Sequence, residues 1–177
     1  MKQRGVGAKL VLMATAAIFI LGCKGNPSND QTAAAASQVA EADKLPEFTL
    51  PDLNGRNVSL RSFEGKQIVV LNLWATWCGP CRHEIPDFNA VYEIYKDRGV
   101  EFLGLSVDSD AAEVVPPFLK ELPIAYPVLL GSQELSFRYG VRGLPTTFII
   151  DKSGRVQRRF VGMINREALE RELQKLL

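Results

Sequence analysis

The sequence predicts an α/β fold with a central mixed β-sheet flanked by helices. Apolar runs typical of buried strands alternate with helical stripes through the middle of the chain. Two more strand patterns and a last helix follow, which indicates a mixed rather than an all-parallel sheet. Length and composition agree, because 177 residues with 46% hydrophobic and 23% charged side chains suit one globular domain with extensions.

Residues 1–22 are predicted to be an export signal. Three cations precede an apolar stretch at 10–21, which is shorter than the roughly 20 residues that span a membrane. Gly22 and Cys23 resemble the lipobox of bacterial lipoproteins, in which the signal is cut before a cysteine that carries a lipid. The resemblance implies that Cys23 anchors the protein to a membrane. The alternative is an ordinary secretory signal that leaves Cys23 as a thiol.

Residues 23–44 are predicted to be a lipid-anchored flexible tether, since they are rich in small and polar residues and lack a sustained apolar face. The folded domain is expected at 45–177. Without the three signal cations, 18 of the 21 Lys and Arg remain against 20 Asp and Glu, so the exported chain has a net charge of −2. This balance excludes the basic surface typical of nucleic-acid binding.

The first half of the domain is predicted to contain a hairpin, a central strand and a long helix. Asn54-Gly55 lies in the middle of the segment 48–60, with a strand pattern on each side, which is a strong hairpin signal. Residues 68–74 form a nearly continuous apolar run, typical of a strand buried on both faces. Residues 80–95 carry apolar side chains at helical spacing, and Gly99 ends this helix.

The second half is predicted to alternate strands and helices before a terminal hairpin. Residues 100–107 form a second buried strand, and 111–122 form a helix strained by Pro116-Pro117. The remaining elements are a strand at 126–130, a helix at 133–139, strands at 146–150 and 156–161, and a helix capped by Asn165. The predicted order is therefore β-β-β-α-β-α-β-α-β-β-α.

Cys78 and Cys81 are predicted to form a redox-active dithiol, with no other cofactor. They lie where a buried strand leads into a helix, so both sulfurs fall within the first helical turn, close enough for a disulfide. Cys78 is expected to face solvent at the positive end of the helix dipole, which favours its nucleophilic thiolate. Cys81, one turn further in, is placed to resolve the mixed disulfide that Cys78 forms.

Three neighbours of the pair affect its chemistry. Gly79 leaves the approach to Cys78 uncrowded, and Pro80 suits a helix start, where its missing N–H costs nothing. Glu84, three residues after Cys81, has two interpretations. It is an exposed helix charge, or it is a partly buried carboxylate that exchanges protons with Cys81.

A metal site is not predicted. Zinc usually takes four ligands, and the chain offers only His83 besides the cysteine pair and Cys23. His83 is interpreted as a solvated helix residue, with at most a weak electrostatic effect on the thiols.

Residues 45–177 resemble a known family. The resemblance rests on Trp77-Cys78-Gly79-Pro80-Cys81, on Glu84-Ile85-Pro86 and on Gly143-Leu144-Pro145-Thr146-Thr147 before Phe148-Ile149-Ile150-Asp151. These segments are similar to those of the TlpA/ResA-type proteins of the AhpC/TSA-related thioredoxin superfamily. The resemblance implies a thioredoxin-like fold with an N-terminal hairpin, and an extra helix-strand unit at 109–131.

The resemblance also assigns site residues. It implies that Pro145 is cis beside the disulfide, and that the backbone at Leu144 pairs with extended substrate. The predicted substrate-binding residues are Trp77, Gly79, Pro80, Leu144 and Pro145. Glu84 matches a carboxylate that family members place near the buried thiol. Thioredoxin has a buried Asp where this chain has Asn72, so proton handling shifts to Glu84 or water.

The function that follows is an extracytoplasmic, membrane-anchored protein-disulfide reductase. The expected partners are exported proteins, with apocytochrome c as a family substrate, and a membrane thiol-disulfide carrier that restores the dithiol. The domain is expected to act as a monomer facing the periplasm or extracytoplasmic space. Lys24 after the lipidated cysteine hints at the outer membrane, and the choice of membrane stays open.

Three alternatives remain. The same motif serves disulfide oxidases and isomerases, because direction depends on potential and partner. Peroxide-reducing relatives share the hairpin and insertion, but they place Pro and Thr where this chain has Leu71 and Ala75. The last alternative is a non-catalytic lipoprotein scaffold stabilised by its disulfide.

Overall fold

The structure is a computed structural model that describes residues 44–177, and these residues form the predicted α/β fold. The strands and helices are, in chain order, β1 (Thr49–Pro51), β2 (Asn57–Ser59), β3 (Ile68–Trp74), α1 (Gly79–Tyr95), β4 (Val100–Ser106), α2 (Ala111–Glu121), β5 (Val128–Leu130), α3 (Gln133–Arg138), β6 (Thr146–Ile150), β7 (Val156–Val161) and α4 (Arg166–Gln174). The predicted signal, Cys23 and the tether as far as residue 43 lie outside the described residues. Within 44–177, no helix has both the length and the apolar character needed to cross a membrane.

The central sheet has five strands in the order β5-β4-β3-β6-β7. β3, β4 and β5 are parallel, whereas β6 is antiparallel to β3 and β7 to β6, so the sheet is mixed as predicted. β1 and β2 form the predicted hairpin, with Gly55 in the left-handed region at φ 75°. Asp52, which follows β1, bridges to Leu129 of β5 and covers that edge of the sheet.

β3 lies at the centre of the sheet, and all its residues are buried. Its side chains alternate between two apolar layers. Leu71 and Leu73 belong to one layer, while Ile68 and Val70 belong to the other, which α1 and α4 cover. By the same alternation, Asn72 faces the layer under α1 and α4, which makes it a polar residue on an apolar face.

α2 forms despite Pro116 and Pro117. Neither proline donates a backbone hydrogen bond, but Val115 and Phe118 are buried and hold the helix against the sheet. The ring centroids of Phe118 and Trp74 are 5.2 Å apart. The extra unit at 109–131 therefore supplies the edge strand β5 and packs against the end of the strand that leads into the cysteine pair.

Candidate active site

The two cysteines of the motif form a disulfide at the start of α1. Their Sγ atoms are 1.97 Å apart, and their Cα atoms are 5.3 Å apart. Cys78 caps the helix, and the backbone N–H of Cys81 donates to Cys78 Sγ at 3.2 Å. This sulfur therefore lies among the unpaired N–H groups of the first turn, where negative charge is stabilised.

The prediction that Cys78 faces solvent is wrong for this disulfide form. Cys78 is only 5% exposed, and Cys81 is fully buried. Cys78 lines an open cavity of about 470 Å³, together with Trp77, Val107 and Leu144. Val107 and Leu144 come from segments that are distant in the sequence, so the position of Cys78 at a helix start did not reveal these walls. A substrate must therefore enter the cavity to reach this sulfur.

The cavity presents large apolar side chains to solvent. Trp77 and Phe137 line it, with 66% and 71% of their surfaces exposed. Arg142 is the charged residue of the lining. A Cβ added at Gly79 would meet no atom within 4 Å, which agrees with the open approach expected beside Cys78. Exposed aromatic side chains around a concave apolar surface are typical of a binding site.

The Leu144–Pro145 peptide bond is cis, as the resemblance implied. Leu144 is half-buried in the cavity lining, and the following Pro145 is buried. The backbone N–H of Gly162 donates to the C=O of Pro145 at 2.8 Å, which ties the loop after β7 to the cis proline. The predicted substrate-binding residues that line the cavity with Cys78 are Trp77, Gly79, Pro80 and Leu144.

Glu84 is buried, with 3% of its surface exposed, which excludes the exposed helix charge. Asn72 Nδ2 donates to Glu84 Oε1 at 2.8 Å, and the Ile164 N–H donates to Oε2 at 3.3 Å. Burial raises the pKa of Glu84 to about 7; the two hydrogen bonds oppose the rise, and Asp87 adds to it. Such a carboxyl group exchanges protons near neutral pH, one helical turn after Cys81.

Asn72 makes contacts that the sequence did not predict. Besides Glu84, its Nδ2 donates to Thr147 Oγ1 at 3.0 Å, and the two residues are direct partners in the β3–β6 register. The sequence showed only that Asn72 carries no ionisable proton. Strand pairing places Thr147 opposite Asn72, and the packing of α1 on the sheet places Glu84 against it. The motif reveals neither contact.

Asp108 is a buried polar residue that the sequence analysis missed. Its carboxylate accepts hydrogen bonds from the Thr76 N–H at 3.0 Å, from Thr76 Oγ1 at 2.8 Å and from Ser106 Oγ at 2.8 Å. Trp74 and Ser106, the last residues of β3 and β4, are partners in the parallel register. Thr76 and Asp108, each two residues past the end of its strand, therefore lie close together. Asp108 therefore fixes the short segment between β3 and Cys78.

The surface of α1 beside the pair carries His83 and Arg82. His83 is exposed, as expected for a solvated helix residue. The Arg82 guanidinium lies 5.1 Å from the centroid of the Phe118 ring, a cation–π contact between α1 and the extra unit. In the part of the chain that the structure describes, no three His, Cys, Asp or Glu side chains are grouped to hold a metal ion.

The fold and the site define a thioredoxin-like thiol-disulfide oxidoreductase. The defining features are the strand order, the Cys78–Cys81 disulfide at a helix start and the cis Pro145. A family model described as the AhpC/TSA family matches residues 42–159, and the chain belongs to this family.

Individual relatives agree with this class. Thiol-disulfide oxidoreductase ResA of Geobacillus thermodenitrificans is 34% identical over 99% of this chain and 97% of its own length. ResA of Bacillus thuringiensis is 41% identical over 75% of this chain and 76% of its own. A solved structure from Chlorobium tepidum, assigned to the DsbE thiol:disulfide interchange proteins, has a TM-score of 0.71 and 34% identity. The match covers 76% of this chain and 96% of that one.

Proposed function

We propose that the protein reduces disulfides in exported proteins from an anchored position outside the cytoplasm. The observation that carries the proposal is the unequal placement of the two sulfurs. Cys78 lines the open cavity, while Cys81 is fully buried beyond it. Substrate therefore meets Cys78, and Cys81 meets only Cys78.

The reaction transfers two electrons from the dithiol to the substrate. The Cys78 thiolate attacks one sulfur of a substrate disulfide, the substrate S–S bond breaks, and the other substrate sulfur leaves as a thiolate that takes up a proton. The Cys81 sulfur then attacks Cys78 Sγ, which breaks the mixed disulfide and releases the second substrate thiol. The product form of the enzyme is the Cys78–Cys81 disulfide that the structure contains. A membrane thiol-disulfide carrier returns two electrons to restart the cycle.

Glu84 is the proposed proton acceptor for Cys81. A thiol must lose its proton before it attacks a disulfide, and Cys81 is fully buried from water. Glu84 follows by three residues on the same helix, which places the two side chains on one face. With a pKa of about 7, its carboxylate takes up a proton at neutral pH and returns it when the dithiol is restored.

The cavity is the proposed substrate site. Trp77 and Phe137 offer apolar surface to residues around the substrate disulfide, and the backbone at Leu144 pairs with an extended segment. Apocytochrome c, with its paired haem-binding cysteines, is the proposed substrate. The lipid on Cys23 would keep this site close to the membrane carrier, with the tether up to residue 44 setting its reach.

Insulin reduction with dithiothreitol tests the activity. The wild-type domain should accelerate precipitation of the insulin B chain, and Cys78→Ser should abolish the acceleration. His83→Gln, an exposed change on the same helix, should leave the rate unchanged. Equal rates for wild type and Cys78→Ser would contradict a catalytic role of Cys78 and favour the non-catalytic lipoprotein scaffold.

The direction of electron flow is tested by equilibration of the domain with glutathione buffers. A reduction potential near that of thioredoxin, about −270 mV, supports a reductase. A value near that of a strong periplasmic oxidant, about −120 mV, would contradict the proposed direction and favour disulfide donation.

A further inference from the structure

We propose that Asn72 and Thr147 are positioning residues that hold the Glu84 carboxylate in place between the sheet and α1. The inference concerns residues whose hydrogen bonds go to Glu84 and to each other, and it rests on the proton-transfer role proposed for Glu84. Three observations support it. Asn72 lies on an apolar face of the sheet, its amide donates hydrogen bonds to both Glu84 and Thr147, and these contacts connect Glu84 to the loop that lines the cavity.

Asn72 occupies a face that is otherwise apolar. Its neighbours in alternate positions of β3 are Val70 and Ile68, and α1 covers them with Phe88. A buried amide on such a face costs free energy unless it is hydrogen-bonded. Asn72 is 2% exposed, so its hydrogen bonds must come from within the protein.

The amide hydrogens of Asn72 have two acceptors. Nδ2 donates to Glu84 Oε1 at 2.8 Å and to Thr147 Oγ1 at 3.0 Å, and an Asn side chain has two N–H donors to give. The hydroxyl of Thr147 therefore fixes the rotation of the amide, and the amide fixes one carboxylate oxygen. An aspartate at position 72 has no such donors when ionised and would place a second negative charge against Glu84.

The hydrogen bonds around Glu84 connect it to the substrate side of the site. Thr147, which accepts from the Asn72 amide, comes two residues after the cis Pro145, in the strand that follows the cavity loop. The second donor to Glu84 is the N–H of Ile164, two residues after Gly162, whose own N–H bonds to Pro145 C=O. One carboxylate oxygen is thus connected to the cavity loop through Asn72 and Thr147, and the other through Ile164 and Gly162.

The other ionisable groups around Glu84 are Asp87 and Tyr126. Asp87, three residues after Glu84 on α1, raises the pKa of Glu84, and its own carboxylate accepts from the Arg166 N–H of α4 at 3.2 Å. Tyr126, in the segment before β5, is buried, and the Glu84 charge adds to the rise in its pKa. Neither supplies a hydrogen bond to Glu84, so Asn72 is the only side chain that does so among residues 44–177.

The test is a pH titration of the Glu84 carboxyl carbon by ¹³C NMR in the oxidised domain. Asn72→Leu removes the donor at similar size, and the midpoint should rise by about one pH unit, a tenfold change in proton affinity. Thr147→Val frees the amide to rotate at nearly constant volume, and it should give a smaller rise. Exposed Glu113→Gln is the control and should leave the midpoint in place. Unchanged midpoints in both Asn72→Leu and Thr147→Val would overturn the inference.

A second readout separates this inference from the proposed role of Glu84. The pH profile of alkylation of the reduced dithiol should shift with Asn72→Leu in the wild-type background and not in Glu84→Gln. If the NMR midpoint moves while the alkylation profile does not, the positioning holds and the proton-transfer role of Glu84 is wrong. If Asn72→Leu moves the profile equally in both backgrounds, the residue acts on the thiols by another route, and the inference fails.

Discussion

Replacement of Glu84 by glutamine should make the stability of the oxidised domain less dependent on pH. Glu84 has a pKa of 4.5 as its ordinary value and about 7 in the folded protein, chiefly because burial disfavours its charged form. Between these two values the folded state holds a proton that the unfolded state has released. The free energy of unfolding therefore falls as the pH rises.

The size of the effect follows from the two pKa values. Each pH unit between them costs about 1.4 kcal/mol, so the wild-type domain should lose about 3 kcal/mol through this group from pH 4.5 to above pH 7. The stabilisation that Glu84 gives to the folded state is complete below pH 4.5 and is lost as the pH passes about 7. Glutamine has no proton to lose, so Glu84→Gln should escape this loss. The glutamine amide has one oxygen where Glu84 has two, so either Asn72 or the Ile164 N–H loses its acceptor. This loss adds a cost of about 1–3 kcal/mol that does not depend on pH.

The assay is urea unfolding of the oxidised proteins at several pH values from 4 to 9. Other titrating groups affect both proteins alike, so the difference between wild type and Glu84→Gln isolates this carboxyl. The difference should change by about 3 kcal/mol across the range, in favour of the variant at high pH. The exposed Glu113→Gln variant should show no such trend. A difference that stays constant, or that favours wild type at high pH, would refute the claim that burial raises the pKa of Glu84.

Two further predictions concern the cavity and the anchor. Trp77→Ala should lower kcat/KM for protein disulfides about tenfold, equivalent to about 1.4 kcal/mol of lost contact with substrate, without a change in urea midpoint, because this side chain is 66% exposed. Ile94→Ala, an exposed apolar residue outside the cavity lining, is the control, and equal losses in both variants would contradict a role of Trp77 in binding. Cys23→Ser should move the protein from the membrane to the soluble fraction, as seen by immunoblotting, and unchanged attachment would contradict a lipid anchor at this residue.

Much of the fold could be predicted because its elements have local signatures. β3 has the predicted bounds Ile68–Trp74, since a continuous apolar run identifies a strand buried on both faces. The sequence predicts α2 as a helix strained by Pro116-Pro117, and the buried Val115 and Phe118 show what holds it against the sheet. Asn165 caps α4 through its side chain, as its position before an apolar stripe indicated.

The site was predictable only in part. The cysteine pair has a sequence signature, and the cis Pro145 followed from the resemblance rather than from spacing. The shielding of Cys78, and the contacts of Asn72 with Thr147 and of Thr76 with Asp108, depend on strand register and loop packing. These long-range contacts have no local pattern, so the sequence identified the reacting groups but not the groups that hold them.

The most direct test of the central claim is to trap the mixed disulfide. Reduced Cys81→Ala should form a stable adduct with a synthetic peptide that carries a Cys-X-X-Cys-His disulfide, and mass spectrometry should locate the peptide on Cys78. The reverse variant, Cys78→Ala, should form little or none, because Cys81 is fully buried. Equal adducts in both variants, or none in Cys81→Ala, would contradict a mechanism in which Cys78 attacks the substrate and Cys81 releases it.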